Sequence, residues 1–209
     1  MAIETKYPIT LDERVELGAE EIALPGSFDE YIDLLGKCAF PIEYEDDNII
    51  FMSIASDPHE RIVANLLGVL YINFKDAHAY KRYGSNRHVY IPEFNSDYSP
   101  DVSIVLGQPD LFELRKGLTA NLNPWMITEV LSDSTRNRDF GNKLFRYKRI
   151  KTLRFILFIE QDLPQITVHR YDETDKRWVS TDYGALDDSF ELGGKAISLR
   201  DIYMDVLLP

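Results

Sequence analysis

The sequence predicts an α/β (α+β) domain with a mixed central β-sheet flanked by helices. Short apolar runs typical of strands alternate with two amphipathic helical patterns, the order expected when helices cover a sheet. A length of 209 residues with 44% apolar composition suits one substantial core. We assign an acidic arm and helix to residues 1–39 and the main domain to residues 40–209, and we expect one compact unit overall.

Composition and motifs exclude several classes of protein. The chain has one cysteine, Cys38, so an intrachain disulfide is impossible. No apolar run reaches 18 residues and no signal-peptide pattern is present, so we expect a cytoplasmic protein with no membrane partner. A Gly-rich phosphate loop, a CxxC pair, a GxSxG elbow and an HExxH helix are also missing from the sequence, which argues against the functions that these motifs carry.

The N-terminal part predicts a short helix followed by a hairpin. Ser27 and Glu30 form a capping-box pattern that begins the helix. Residues 40–45 and 49–54 alternate as the two hairpin strands, with a turn between them. We expect the acidic side chains of this hairpin to face solvent, and a cation site is the alternative reading. These side chains are Glu43, Glu45, Asp46 and Asp47.

A long core helix follows the hairpin. Asp57 suits the N-cap and Pro58 the first helical position, and the apolar residues from Ile62 to Phe74 recur at helical spacing. Farther along, residues 107–123 have the composition of a loop, with a short helix at 109–116. We therefore expect one long helix and a loop before the next strand.

Two later strands each carry a carboxylate. In the segment WMITEVL, alternate residues share a face, so Glu129 lies with Ile127 and Leu131 and is expected to be partly buried. Pro100 biases Ser99 toward extended backbone, so Asp101 stands at the entry to a predicted strand over residues 102–106. A salt bridge for Glu129 and a turn role for Asp101 are the simpler readings. If the strands are neighbours, however, the two carboxylates repel each other and a divalent metal resolves the repulsion.

A basic segment follows Glu129. We predict a helix over about residues 138–150, with N-cap candidates Ser132, Ser134 and Thr135 and with Phe140, Leu144, Tyr147 and Ile150 inward. Asp139 and Lys143 are four residues apart, which also suits an ordinary surface ion pair. The continuous apolar run of residues 155–159 then predicts a strand buried on both faces, ending near Gln161.

Charge is distributed unevenly along the chain. The net charge of −12 lies entirely in residues 1–60, whereas residues 136–154 contain eight basic residues and one acidic residue. Arg136, Arg138 and Arg146 are therefore candidates for nucleic-acid contact. A solvated helix face is the competing interpretation. The acidic N-terminal third either screens this basic segment or binds a partner chain.

The motif formed by Pro100-Asp101, Glu129-Val130-Leu131 and Lys143 resembles that of the PD-(D/E)XK nuclease superfamily. More narrowly, PDVSIVL, ITEVLSDSTRNRDFGNKLFRYKRI and LRFILFIEQDLPQITVHRY are similar to the Uma-type restriction endonuclease family over roughly residues 40–205. In the usual superfamily pattern the lysine lies two residues after the glutamate, where this chain has Leu131. Lys143 can replace it if the helix folds back over the strand end.

The resemblance implies a restriction-endonuclease-like core and a DNA endonuclease that uses Mg²⁺ or Mn²⁺. Asp101 and Glu129 would bind the metal and Lys143 would orient the attacking water. His59, Glu60 and Gln161 are accessory candidates for the same site. The alternative is a non-catalytic binding or regulatory module with the nuclease fold, and for either function we expect a homodimer.

Overall fold

The computed structural model describes residues 7–18, 21–132 and 135–208. Six α-helices, one π-helical turn and one 3₁₀ turn are found in this part of the chain. The helices are α1 (Leu11–Glu16), α2 (Phe28–Leu34), α3 (Asp57–Phe74), α4 (Arg136–Arg138), α5 (Leu144–Tyr147) and α6 (Leu199–Ile202). The π-helical turn is Asp139–Lys143, between α4 and α5, and the 3₁₀ turn is Pro92–Phe94.

Fifteen strands are found in the same residues. They are β1 (Ile22–Pro25), β2 (Ile42–Glu45), β3 (Asn48–Phe51), β4 (Tyr80–Gly84), β5 (Val89–Ile91), β6 (Ser96–Tyr98), β7 (Val102–Leu106), β8 (Leu111–Arg115), β9 (Leu118–Asn121), β10 (Pro124–Leu131), β11 (Phe155–Glu160), β12 (Ile166–Asp172), β13 (Arg177–Tyr183), β14 (Ser189–Leu192) and β15 (Lys195–Ser198).

The central sheet has six strands in the order β13-β12-β11-β10-β7-β4. Strands β10 and β11 are parallel, and the other neighbours are antiparallel. A parallel pair needs a crossover connection, and here the helical segment from α4 to α5 supplies it. The predicted mixed central sheet flanked by helices is therefore confirmed.

A second sheet of seven strands has the order β1-β3-β2-β6-β5-β9-β8. The short helix predicted at residues 109–116 is wrong, because β8 and β9 form an antiparallel hairpin there. Strand β1 pairs with β3, so the segment assigned to the N-terminal arm contributes a strand to this sheet. The division of the chain at residue 39 stays a prediction.

The helix starts follow the capping rules with one difference. Ser27 and Glu30 form the predicted capping box of α2. Helix α3 has Ser56 as its N-cap, and its hydroxyl accepts a hydrogen bond from the backbone N–H of His59. Asp57, expected as the cap, is instead the first helical residue, where its charge still suits the N-terminal dipole.

The central sheet is buried on both faces. Helices α3 and α6 pack on one face, with Leu66 and Ile202 in the same apolar cluster as Val130. The other face, with Ile127 and Leu131, packs against Tyr147 and part of the second sheet. The side chain of Glu129 shares this second face, so the alternation in β10 directs a carboxylate into the space between the two sheets.

The helical segment after β10 is kinked. Gly141 has the non-helical angles φ −92° and ψ −105° inside the π-helical turn. Phe140 was expected to face inward but is 39% exposed, whereas Tyr147 is buried as predicted. Of the N-cap candidates, Ser134 lies outside the described residues. None of the described helices is long and apolar enough to cross a membrane.

Candidate active site

Asp101 and Glu129 are brought together by the pairing of β7 with β10. Val102 lies opposite Thr128, and continuing this antiparallel register by one residue puts Asp101 opposite Glu129. The backbone N–H of Val130 donates to Asp101 Oδ2 at 2.7 Å. The carboxylate of Asp101 is thus fixed one peptide unit from Glu129, at the end of the strand pair.

Glu129 is buried, and its described hydrogen bonds all end on one oxygen. Oε1 accepts from the Tyr147 hydroxyl at 2.6 Å and from Lys143 Nζ at 3.1 Å. Burial raises the pKa of the Glu129 carboxyl, Lys143 lowers it, and the nearby charges of Asp139 and Asp101 raise it again, so the net pKa lies well above its usual range. Added positive charge would therefore favour the ionised form.

Lys143 lies in the π-helical turn and is 1% exposed. Its ammonium nitrogen is 3.1 Å from Glu129 Oε1, 3.1 Å from Glu43 Oε2 and 3.5 Å from Asp139 Oδ1. Burial lowers the pKa of Lys143, but these carboxylates more than offset burial, so the pKa lies above its ordinary value and the ammonium stays charged. The i,i+4 pair with Asp139 exists, but it is buried rather than on the surface.

Glu43 belongs to this cluster and was not predicted as a site residue. It was expected to face solvent, yet it is 0% exposed on β2. Its carboxylate lies 2.7 Å from Arg138 Nη2 and 3.1 Å from Lys143 Nζ, and it accepts the backbone N–H of Ser99 at 2.8 Å. Burial raises the pKa of Glu43, but Lys143 and Arg138 lower it more, and the net pKa is below the usual range.

Two arginines of the basic segment are held in ion pairs within the protein. The side chain of Arg138 is 11% exposed and is paired with Glu21 at 2.7 Å as well as with Glu43. Arg146 is buried and pairs with Glu45 and Asp46 at 3.2 and 2.6 Å. A contact of either arginine with nucleic acid stays a prediction, and it would require a phosphate to displace carboxylates of the same chain.

Arg136 differs from the other two candidates. Its side chain is partly exposed, and Nη1 donates to Glu160 Oε1 at 2.7 Å. Of the two roles left open for the acidic N-terminal third, screening of the basic segment is the one found in the described residues. The carboxylates that neutralise Arg138, Lys143 and Arg146 from that third are Glu21, Glu43, Glu45 and Asp46.

The accessory candidates lie at the edge of the same site. His59 Nε2 is 3.3 Å from Asp101 Oδ1, and His59 Nδ1 is 3.7 Å from Glu60 Oε1. Burial lowers the pKa of His59, but the hydrogen bond and charge of Asp101 outweigh burial, and the net pKa is raised. Gln161 Oε1 accepts from the Ser56 hydroxyl at 2.8 Å, which ties the end of β11 to the start of α3.

These side chains open into one cleft of about 590 Å³. Asp101, Glu129 and Lys143 line it together with Asp139, His59, Glu60 and Gln161. Apolar side chains from α1 and from the segments flanking β2 and β3 form another part of its wall. The cleft therefore combines a charged region and an apolar region in one space.

The charged region has suitable donors for a hard divalent cation. The carboxylates of Asp101 and Glu129 line the cleft side by side, at the entry to β7 and on β10, and no hydrogen bond from a described residue ends on Glu129 Oε2. Within the described ranges, no group of three or more His, Cys, Asp or Glu side chains is arranged to hold an ion. Mg²⁺ is commonly held by one or two carboxylates, with water and substrate phosphate completing its shell, so the pair fits that mode of binding.

The mixed sheet with its carboxylate and lysine cluster defines a protein of the nuclease fold class. A crystal structure from Anabaena variabilis ATCC 29413, described as a putative nuclease belonging to DUF820, shares this fold with a TM-score of 0.64 and 19% identity, over 96% of this chain and 100% of that one. The sequence model of the Uma2 family, described as putative restriction endonuclease, matches residues 28–199. The chain belongs to this family, and the predicted resemblance is confirmed.

A curated protein is also similar to this chain in sequence. The uncharacterized protein sll1609 of Synechocystis sp. (strain ATCC 27184 / PCC 6803 / Kazusa) is 28% identical over 153 residues, which cover 73% of this chain and 84% of that protein. The structural likeness shows a shared fold, and the description of the family, putative restriction endonuclease, supports a nuclease.

Proposed function

We propose that the protein is a Mg²⁺- or Mn²⁺-dependent DNA endonuclease. One observation carries the proposal: Lys143, twelve residues beyond the usual lysine position, has its ammonium 3.1 Å from Glu129 in a cleft that Asp101 also lines. An ammonium beside two carboxylates is the set of groups that metal-assisted phosphodiester hydrolysis uses. The family description supports the same reaction class.

Each side chain has a distinct role in the proposed reaction. Asp101 and Glu129 hold the divalent cation, which when bound lowers the pKa of water and stabilises negative charge on the phosphate. Lys143 remains protonated beside its carboxylates, so it orients the attacking water as a hydrogen-bond donor and does not remove the proton itself. Tyr147 and Lys143 both bond Glu129 Oε1, which leaves Oε2 as the oxygen for the metal.

A plasmid-nicking assay tests the proposal directly. We expect relaxation of supercoiled DNA with Mg²⁺ or Mn²⁺ and none with EDTA. Glu129→Gln and Asp101→Asn should abolish nicking, and Lys143→Ala should slow it while Mn²⁺ binding measured by calorimetry is retained. Glu113→Gln, on an exposed position of β8, is the matched control and should behave as wild type. Nicking by Glu129→Gln at the wild-type rate would refute the assignment.

The non-catalytic alternative makes the opposite prediction. A binding or regulatory module would show no nicking with any divalent cation, although it would keep the fold. The 3.1 Å contact between Lys143 and Glu129 supports the enzyme, since Lys143 takes the place of the lysine that the usual pattern has at position 131. The predicted homodimer is a separate proposal, and sedimentation velocity measures it.

A further inference from the structure

We propose that the cleft binds an unpaired nucleotide, with its base against the apolar wall and its phosphate at the carboxylates. The preferred substrate is then single-stranded DNA rather than an intact duplex. This inference rests on the proposed function for the phosphate position. The base position rests on separate residues and can be tested separately.

The apolar wall is exposed and continuous with the charged region. Leu11 of α1 is 50% exposed and Ile54, after β3, is 57% exposed, and both line the cleft with Phe40, Pro41 and Met52. Exposed aliphatic side chains beside an ionic site cost free energy in water unless a ligand covers them. A nucleobase whose own phosphate lies at Asp101 and Glu129 is within reach of such a wall.

The charge of the cleft disfavours a duplex backbone. Four carboxylates line it, from Glu60, Asp101, Glu129 and Asp139, and Lys143 is the one lysine or arginine among the described lining residues. Duplex binding relies on Lys and Arg side chains that contact many phosphates. Arg138 and Arg146 are held in ion pairs within the protein, and the described lining of the cleft adds no Lys or Arg besides Lys143, so the cleft itself offers few of these contacts.

The neutral part of the lining suits recognition of a base. Ser85 and Ser99 line the cleft, and hydroxyl groups both donate and accept hydrogen bonds at base edges. The volume of about 590 Å³ lies in the range of about 300–1,000 Å³ typical of sites that enclose a small molecule. A single splayed nucleotide fits this description better than a stacked base pair, whose edges are presented from a groove.

Binding in Ca²⁺ tests the inference without requiring catalysis. The probe is a fluorescein-labelled 12-nucleotide DNA of mixed sequence, used as a single strand and annealed to its complement, with anisotropy as the readout. We expect the wild type to bind the single strand at least about tenfold more tightly than the duplex. Equal or tighter binding of the duplex would overturn the proposal.

Ile54→Ser tests the apolar wall, and Ile72→Ser is its matched control. Ile72 is 69% exposed on α3 and does not line the cleft, so the two variants remove the same side chain from exposed positions. We expect Ile54→Ser to weaken single-strand binding by about fivefold or more, within the range for loss of one base contact. Ile72→Ser should bind as the wild type does. Equal affinities of the two variants would contradict the base position.

Cleavage of the same two oligonucleotides in Mg²⁺ separates the inference from the proposed function. Cleavage of the duplex alone would support the endonuclease and overturn the single-strand preference. Single-strand binding that depends on Ile54, with no cleavage of any DNA, would refute the endonuclease and support the nucleotide site. Cleavage of the single strand, weakened by Ile54→Ser, would support both.

Discussion

Replacing Glu43 by Gln removes one negative charge from the interior of the ion-pair cluster. Glu43 is 0% exposed and contacts Lys143, Arg138 and the backbone N–H of Ser99. Gln has nearly the same shape and can still accept the hydrogen bond of Ser99. The substitution therefore isolates the loss of charge beside these two cations.

The expected loss of stability is large because Lys143 is buried and the side chain of Arg138 is only 11% exposed. Removing one partner of a buried ion pair typically costs about 3–5 kcal/mol. Lys143 keeps Glu129 and Asp139, and Arg138 keeps Glu21, so we expect the lower end of this range, about 3 kcal/mol. The wild-type stabilisation by Glu43 is an electrostatic one, and it should therefore depend on pH.

Urea denaturation of the wild type and of Glu43→Gln measures this difference. The folded-state pKa of Glu43 is depressed, so its stabilisation is present above the unfolded-state pKa, near ~4.3, and is lost as pH falls toward the folded-state pKa. The difference in free energy of unfolding between the two proteins should be largest at pH 7 and should shrink below about pH 4.3. The surface control Glu173→Gln, which breaks exposed pairs with Arg154 and Lys176, should unfold as the wild type does.

Two results would refute this account of Glu43. The first is a stability of Glu43→Gln at pH 7 that equals that of Glu173→Gln, which would mean that the buried charge is not needed. The second is a difference in free energy of unfolding between wild type and Glu43→Gln that stays constant from pH 7 to pH 3.5, which would assign the loss of stability to packing. An unchanged slope of the free energy of unfolding with urea confirms that the same two states are compared.

Two further substitutions test other buried groups. Arg138→Met should lower the free energy of unfolding by about 3–5 kcal/mol, since it leaves Glu21 and Glu43 without their shared partner. The opposite result is unchanged stability together with a salt dependence of DNA binding whose logarithmic slope falls by about one, which would indicate a phosphate contact. Burial, aided by Lys148, lowers the pKa of His169 to about 4. The unfolded chain therefore binds a proton more readily below ~6.5, so the wild type loses stability as pH falls from that value toward 4, and His169→Leu should remove this loss in urea titrations at pH 7 and pH 5.

Asp101 and Glu129 could be proposed as site residues from local patterns, because strand alternation and chain order determine their positions at the entry to β7 and on β10. Glu129 shares the face of Ile127 and Leu131, and the pairing of β7 with β10, which the sequence analysis could state only as a condition, is found in the structure. The position of Lys143 came from the family resemblance, because its spacing alone is equally that of a surface ion pair. The central sheet was predictable for the same reason as the site.

Glu43 was missed because its local pattern is that of an ordinary hairpin. The segment IEYEDD has the alternation and turn residues of a solvated strand pair, and nothing within it indicates a second sheet packed over the first. The sequence signal that could have indicated the ion pairs of Glu43 lies at long range, in the balance between an acidic first third and a basic helical segment. The hairpin at β8 and β9 was missed for a related reason, since its short strands pair only within that second sheet.

The ion pairs that cross between the sheets also limit how much of the N-terminal part can be removed from the chain. A truncation that begins at β3 discards Glu21, Glu43, Glu45 and Asp46 and leaves Arg138, Lys143 and Arg146 without these partners. Such a fragment would retain every residue of the proposed metal site and still carry three poorly compensated positive charges in its interior. Expression of this fragment alone should therefore yield aggregated protein, even though its motif is intact.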